Sequence, residues 1–121
     1  MSETNPIGKV ILAGAGPGDA ELITLKLQKR LADADVILTD RLVNPAIIKQ
    51  HARKDAQVIF AGKQGYNEAS ATREKINALI IEHALQGKTV LRLKGGDVAF
   101  FSNVLDELLT CTQHNIACEI I

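Results

Sequence analysis

Lys9-Val10-Ile11-Leu12-Ala13-Gly14-Ala15-Gly16-Pro17-Gly18-Asp19 is the stretch on which the fold turns. Val10 to Ala13 form an unbroken apolar run with no polar alternation, as a strand buried on both faces requires. Glycines 14, 16 and 18 follow at once, and they let the backbone turn sharply and approach a ligand with no Cβ in the way. A buried strand, a glycine-rich turn and then a helical stretch open a parallel α/β unit, in which ligands bind at the carboxyl ends of the strands. The turn is not the dinucleotide fingerprint Gly-x-Gly-x-x-Gly, because Gly18 comes one residue early and Pro17 stiffens the loop.

Outward from this stretch, short apolar runs alternate with helical spacing to the end of the chain. Leu22, Leu25, Leu31 and Ala32 predict a helix from Ala20 to about Ala34, and Val36 to Thr39 a second strand. Asn44-Pro45 reads as an N-cap with proline in the first helical position, opening a short helix to about Ala52. Val58 to Ala61 is the third strand. Ser70 or Thr72 caps a helix whose buried stripe is Ile76, Leu79, Ile80, His83 and Ala84, and Gly87 supplies its left-handed stop. Thr89 to Leu93 is the fourth strand. A helix from Ser102 to Gln113, with Val104, Leu105, Leu108 and Leu109 inward, leads to a fifth strand at Ala117 to Ile121. The fold class is therefore α/β, a Rossmann-like parallel five-stranded sheet with flanking helices. Residues 1–8 form a polar tail and residues 9–121 one domain.

The chain has 121 residues, 46% of them hydrophobic, enough to bury a core without metals or disulfides. Its 14 Lys and Arg balance 14 Asp and Glu, which removes the net basic field that draws proteins to nucleic acid or to membranes. With three Phe, one Tyr and no Trp, there is little from which to build a base-stacking platform. No apolar run is long enough to cross a bilayer, and the first residues lack a secretory pattern, so the expected location is the cytoplasm. Cys111 and Cys118 read as reduced, packed thiols rather than metal ligands, and His51, His83 and His114 are scattered. No metal is expected.

All four leading strands end in a polar or glycine-rich signal. Gly14 to Asp19 follows the first, and Asp40-Arg41-Leu42 the second. Asp40 suits either a ribose contact, at its distance from the glycine loop, or a base beside cationic Arg41. Lys63, after the third strand, suits an anionic substrate or proton movement. Lys94-Gly95-Gly96-Asp97 closes the fourth strand with paired glycines that admit close backbone approach. A purely structural sheet has no need of four such signals on one edge.

Taken in order, Gly14-Ala15-Gly16-Pro17-Gly18-Asp19, Leu22-Ile23-Thr24-Leu25-Lys26, Ala34-Asp35-Val36, Asp40-Arg41-Leu42, Gly62-Lys63, Ile76-Asn77 and Val90-Leu91-Arg92-Leu93-Lys94-Gly95-Gly96-Asp97 resemble the tetrapyrrole methylases. The likeness runs from Lys9 onward. It implies methylation of two pyrrole-ring carbons of uroporphyrinogen III with S-adenosyl-L-methionine as methyl donor, at the branch to sirohaem and cobalamin. It also implies roles: Asp40 as proton acceptor, Lys63 as proton donor, and Pro17, Gly95, Gly96, Asp97 and Phe100 as cofactor contacts. Arg41 then serves the carboxylates of the substrate. The resemblance replaces the ribose reading of Asp40 and implies a homodimer with a second α/β domain.

Two departures from the family pattern stand out. Where the family continues Gly-Gly-Asp-Pro into a Gly-Arg-Gly-Gly segment, this chain reads Asp97-Val98-Ala99-Phe100-Phe101-Ser102-Asn103-Val104-Leu105. The chain also stops on the apolar Ile120-Ile121, so it reads as an amino-terminal half. Both departures keep open a non-catalytic, dimerising relative; a methylase of a later corrin-ring step is the other alternative. A nicotinamide-binding domain fits the glycine loop least.

Overall fold

The computed structural model describes residues 7–14, 23–39, 43–60, 69–94 and 103–121, without the side chains of 69–73 and 103–106. Within these, strands β1 (Lys9–Gly14), β2 (Val36–Thr39), β3 (Gln57–Phe60), β4 (Thr89–Lys94) and β5 (Ala117–Ile120) alternate with helices α1 (Leu25–Asp33), α2 (Pro45–His51), α3 (Ala69–Leu85) and α4 (Asn103–Gln113). The strands form one sheet in the order β3-β2-β4-β1-β5. Every pairing is parallel. The expected fold class is the observed one.

Burial on both faces follows the sequence closely. Val10, Ile11, Leu12 and Ala13 of β1 are all fully buried, as are Val90, Leu91 and Leu93 of β4. Even-numbered Val10, Leu12, Val36, Leu38 and Val90 pack with Ile80, Ile81, Ala84 and Cys111, the face covered by α3 and α4. Odd-numbered Ile11, Ala13, Ile37, Leu91 and Leu93 pack with Leu27, Leu31 and Ile47, the face covered by α1 and α2. Two-residue strand periodicity thus divides one apolar run between two helical layers.

The helix boundaries show where local chemistry overrides spacing. α1 starts at Leu25 rather than Ala20, because Thr24 is extended (φ −74°, ψ 157°) and its Oγ1 accepts the Leu27 amide at 3.0 Å. The buried stripe is accordingly Leu27 and Leu31, and Leu25, in the first turn, is 76% exposed. α2 begins as expected, with Asn44 Oδ1 accepting from the Ala46 amide at 3.0 Å and Pro45 in the first turn. α3 already runs from Ala69, so Ser70 and Thr72 lie inside it rather than at its cap. Gly87 takes the expected left-handed conformation (φ 87°), and Asn115, which the spacing did not flag, does the same after α4 (φ 58°). In α4, Leu109 is exposed instead of inward, and Glu107 is buried in the face where apolar residues were expected.

At the amino ends of the strands, Asp35 is a hub. Its carboxylate accepts from the Thr89 amide at 2.8 Å and meets Arg53 at 2.8 Å, while its carbonyl accepts from the Gln57 amide at 2.9 Å. These contacts join β2, β4 and β3 at one level. The Thr89 amide and then Arg53 hold the Asp35 carboxyl below its ordinary range. At the β5 edge, Glu119 receives two hydrogen bonds from Arg30 of α1, at 2.9 and 3.1 Å, and an ion pair from Lys26 at 3.3 Å. Arg30, and more weakly Lys26, bring Glu119 down to about 2. No helix among the described residues is long and apolar enough to cross a membrane.

Two outcomes follow from this packing. A Cβ at Gly8 would lie 1.9 Å from the Lys88 carbonyl oxygen, so Gly8→Ala forces apart the β1 entry and the α3 turn. Its urea midpoint should fall by the equivalent of about 1–3 kcal/mol. Asp35 and Glu119 both have folded pKa values below their unfolded ones, so their stabilisation is complete above the usual carboxylate range and is lost as pH falls toward about 2. Melting temperature measured between neutral pH and pH 2 should therefore decline with acid, and Glu119→Gln should flatten that decline.

Candidate functional site

In an open parallel sheet, the ligand crevice lies where successive connections leave in opposite directions. Here β1 connects through α1 toward β2 on one side, and β4 connects through α4 to β5 on the other. The adjacent strands β1 and β4 are that switch point. Their last residues, Gly14 and Lys94, are register partners. The two glycine-bearing segments, 15–22 and 95–102, therefore start side by side.

The remaining strand ends set the rest of the edge. Thr39, which is 1% exposed, closes β2 next to Leu93 of β4 and next to Phe60 of β3. Asp40 follows it directly in sequence. At strand spacing, the chain leaves β2 about 5 Å from β4 and leaves β3 about 14 Å from β1. Phe60, the last residue of the edge strand β3, is 68% exposed. Pro17, Asp40, Arg41, Lys63, Gly95, Gly96, Asp97 and Phe100 themselves lie outside the described residues. The strands that precede them in sequence end along a single edge, in the lateral order β3, β2, β4 and β1.

Beneath this edge is an ionic cluster that the sequence reading missed. Glu107 of α4 is 3% exposed, and its Oε2 accepts from Arg92 Nε at 3.3 Å while its Oε1 pairs with Lys94 Nζ at 3.2 Å. Arg92 Nη1 also donates to the carbonyl of Leu38 at 3.3 Å and to that of Leu93 at 3.2 Å. Arg92 and Lys94 share the α4-facing side of β4 with Val90, which aims both at Glu107. A signal for this cluster was present in the sequence. Two cations interrupt a strand otherwise built for burial, and a carboxylate occurs at position 107, on the same helical face as Leu108 and Cys111.

Other groups stand apart from the edge. Cys111 and Cys118 are free thiols that hydrogen-bond one another between α4 and β5, and this bond together with burial pushes the Cys118 thiol up. A groove of about 380 Å³ between α3 and α4 is lined by Asn77, Ala78, Ile81, Glu82, Thr110 and His114, on the outer side of the helical layer. Among the described residues, no three His, Cys, Asp or Glu side chains come together as metal ligands.

Residues 9–121 match the family described as Tetrapyrrole (Corrin/Porphyrin) Methylases. The chain belongs to this family. Among curated members, a uroporphyrinogen-III C-methyltransferase from Methanocaldococcus jannaschii is 46% identical over 114 residues, covering 94% of this chain and 46% of the relative. One of the same name from Cyanidium caldarium is 45% identical over all 121 residues and 47% of its own length. Among solved structures, uroporphyrin-III C-methyltransferase from Thermus thermophilus complexed with S-adenosyl-homocysteine superposes with TM-score 0.75 at 35% identity, over 94% of this chain and 44% of that one. This tetrapyrrole methylase chain thus spans about half the length of the relatives it matches.

Removing one partner from a buried ion pair leaves the others uncompensated. Glu107→Ala should therefore lower unfolding free energy by about 3–5 kcal/mol, measured by urea denaturation, far more than Glu74→Ala at an exposed site of α3.

Proposed function

We propose that this chain is the amino-terminal, substrate-facing half of an S-adenosyl-L-methionine-dependent methyltransferase acting on uroporphyrinogen III, in sirohaem and cobalamin biosynthesis. The observation that carries the reading is the β1/β4 switch point, where the Gly14–Asp19 and Gly95-Gly96-Asp97 segments begin as register neighbours. Relatives at 45–46% identity bear the corresponding name. When bound, S-adenosyl-L-methionine supplies an electrophilic sulfonium methyl group.

Within this reading, Pro17, Gly95, Gly96, Asp97 and Phe100 hold the cofactor, with the glycines admitting it close to the backbone. Asp40, carried at the end of β2 beside β4, takes the ring proton as the carbon gains its methyl group. Lys63, three residues after the end of β3 in sequence, acts as proton donor. Arg41 and Lys63 supply cations for a polycarboxylate, to which a guanidinium offers paired hydrogen bonds. The complete enzyme has a second domain that closes the cofactor crevice, and it works as a cytoplasmic homodimer. The chain's zero net charge supports a small-molecule partner rather than nucleic acid or a membrane.

A second reading has one observation in its favour. A cobalt precorrin-4 methyltransferase, whose name places it at a corrin substrate, superposes with TM-score 0.79 at 28% identity. Early and late substrates assayed side by side separate the two readings. With the chain joined to a family carboxyl-terminal half, labelled methyl should reach uroporphyrinogen III. Asp40→Ala should slow that transfer by about 10²–10⁴-fold while cofactor affinity, by equilibrium dialysis, stays within about twofold. Unaltered turnover would remove Asp40 from the mechanism, and label appearing only in a corrin would favour the later step.

A further inference from the structure

We infer that Glu107, acting through Arg92 and Lys94, is a positioning residue that fixes the carboxyl ends of β2 and β4 and the start of α4 relative to one another. Its catalytic consequence rests on the reading above, in which the base follows β2 and cofactor contacts follow β4. The geometry stands without that reading.

The contacts run in one chain across the edge. Arg92 sits in register between Leu12 of β1 and Leu38 of β2. Its Nη1 reaches sideways to the Leu38 carbonyl, one residue before the last of β2, and to the Leu93 carbonyl in its own strand. Its Nε reaches outward to Glu107, which also pairs with Lys94, the last residue of β4. One carboxylate on α4 thereby grips β4 at two successive inward positions and, through the guanidinium, holds β2. The same pair ties the last residue of β4 to the second turn of α4, which are the described elements on either side of positions 95–102 in sequence.

Stability alone does not account for such a cluster. Replacing a buried ionic triad with apolar side chains of similar size is often neutral or stabilising, because desolvation offsets the Coulombic gain. What apolar packing does not reproduce is direction. Hydrogen bonds to named carbonyls set distance and angle together, whereas dispersion contacts tolerate sliding. In a reaction where misplacement by an ångström costs orders of magnitude, that difference acts on rate and affinity rather than on the melting point.

The test separates position from stability. The triple variant Arg92→Met, Lys94→Met, Glu107→Leu removes every charge of the cluster while keeping its bulk. Urea denaturation and amide hydrogen exchange read at Thr39, Lys94 and Glu107 against Leu12 are compared with the unaltered chain, and S-adenosyl-homocysteine affinity by calorimetry is compared with each chain joined to a family carboxyl-terminal half. The variant is expected to unfold cooperatively, with exchange at the three edge sites raised about tenfold relative to Leu12 and with affinity lowered about tenfold. Edge exchange that moves only in step with Leu12 would overturn the inference. Should the triple variant show no cooperative transition, Glu107→Gln is judged by the same ratio. If the unaltered chain joined to a family carboxyl-terminal half binds no S-adenosyl-homocysteine, the cofactor reading of this chain fails, and the exchange ratio alone decides the positioning role.

Discussion

The architecture depends on one constraint, which is that β1, β4 and β2 are apolar on both sides and must be covered on both faces. A parallel sheet meets that requirement only by returning each strand through a helix, and the returns divide here into α1 and α2 on one face and α3 and α4 on the other. Once two returns lie on each face with a common hand, the chain has to reverse its lateral direction somewhere. It does so at β3, which leaves β1 and β4 as neighbours whose connections depart in opposite directions. The crevice is therefore a consequence of burying the strands and not an independent feature.

The two ends of the sheet are held by different chemistry. At the amino ends, Asp35 ties three strands through short contacts that water partly reaches, its carboxylate reaching Thr89 and Arg53 and its backbone carbonyl reaching Gln57. At the carboxyl ends, the tie is buried and ionic. Arg92 and Lys94 occupy positions that the strand pattern assigns to the core, and Glu107 interrupts the apolar face of α4 to meet them. Local pattern and tertiary requirement conflict at this end, beside the segments that carry the family's motifs. Conflicts of this sort gather at functional edges, where position matters more than packing energy.

The altered segment after Asp97 bears on the same region. The family's proline, arginine and glycine cluster is replaced by Val98 to Leu105, yet α4 still begins at Asn103 and still delivers Glu107 to β4. The ion pair between Glu107 and Lys94 thus joins the two elements that flank the altered stretch.

Sequence alone determined the strands, the parallel sheet, the two-sided burial and the family, because apolar runs, glycine turns and ordered motifs are local and survive without knowledge of neighbours. Asn44-Pro45 and Gly87 were legible for the same reason, each being a backbone requirement met by one or two residues. The start of α1 was not, because Thr24 competes as a cap against an apolar spacing that extends further back. The inward side of α4 was misread at Leu109, because helical spacing does not show which flank of the stripe meets the sheet. Only tertiary structure decided the strand order, and with it the placing of β1 beside β4. Only tertiary structure, too, joined Glu107 to Arg92 and Lys94, since a counter-charge 13 to 15 residues away is chosen by the packing of α4 on the sheet and not by any local preference.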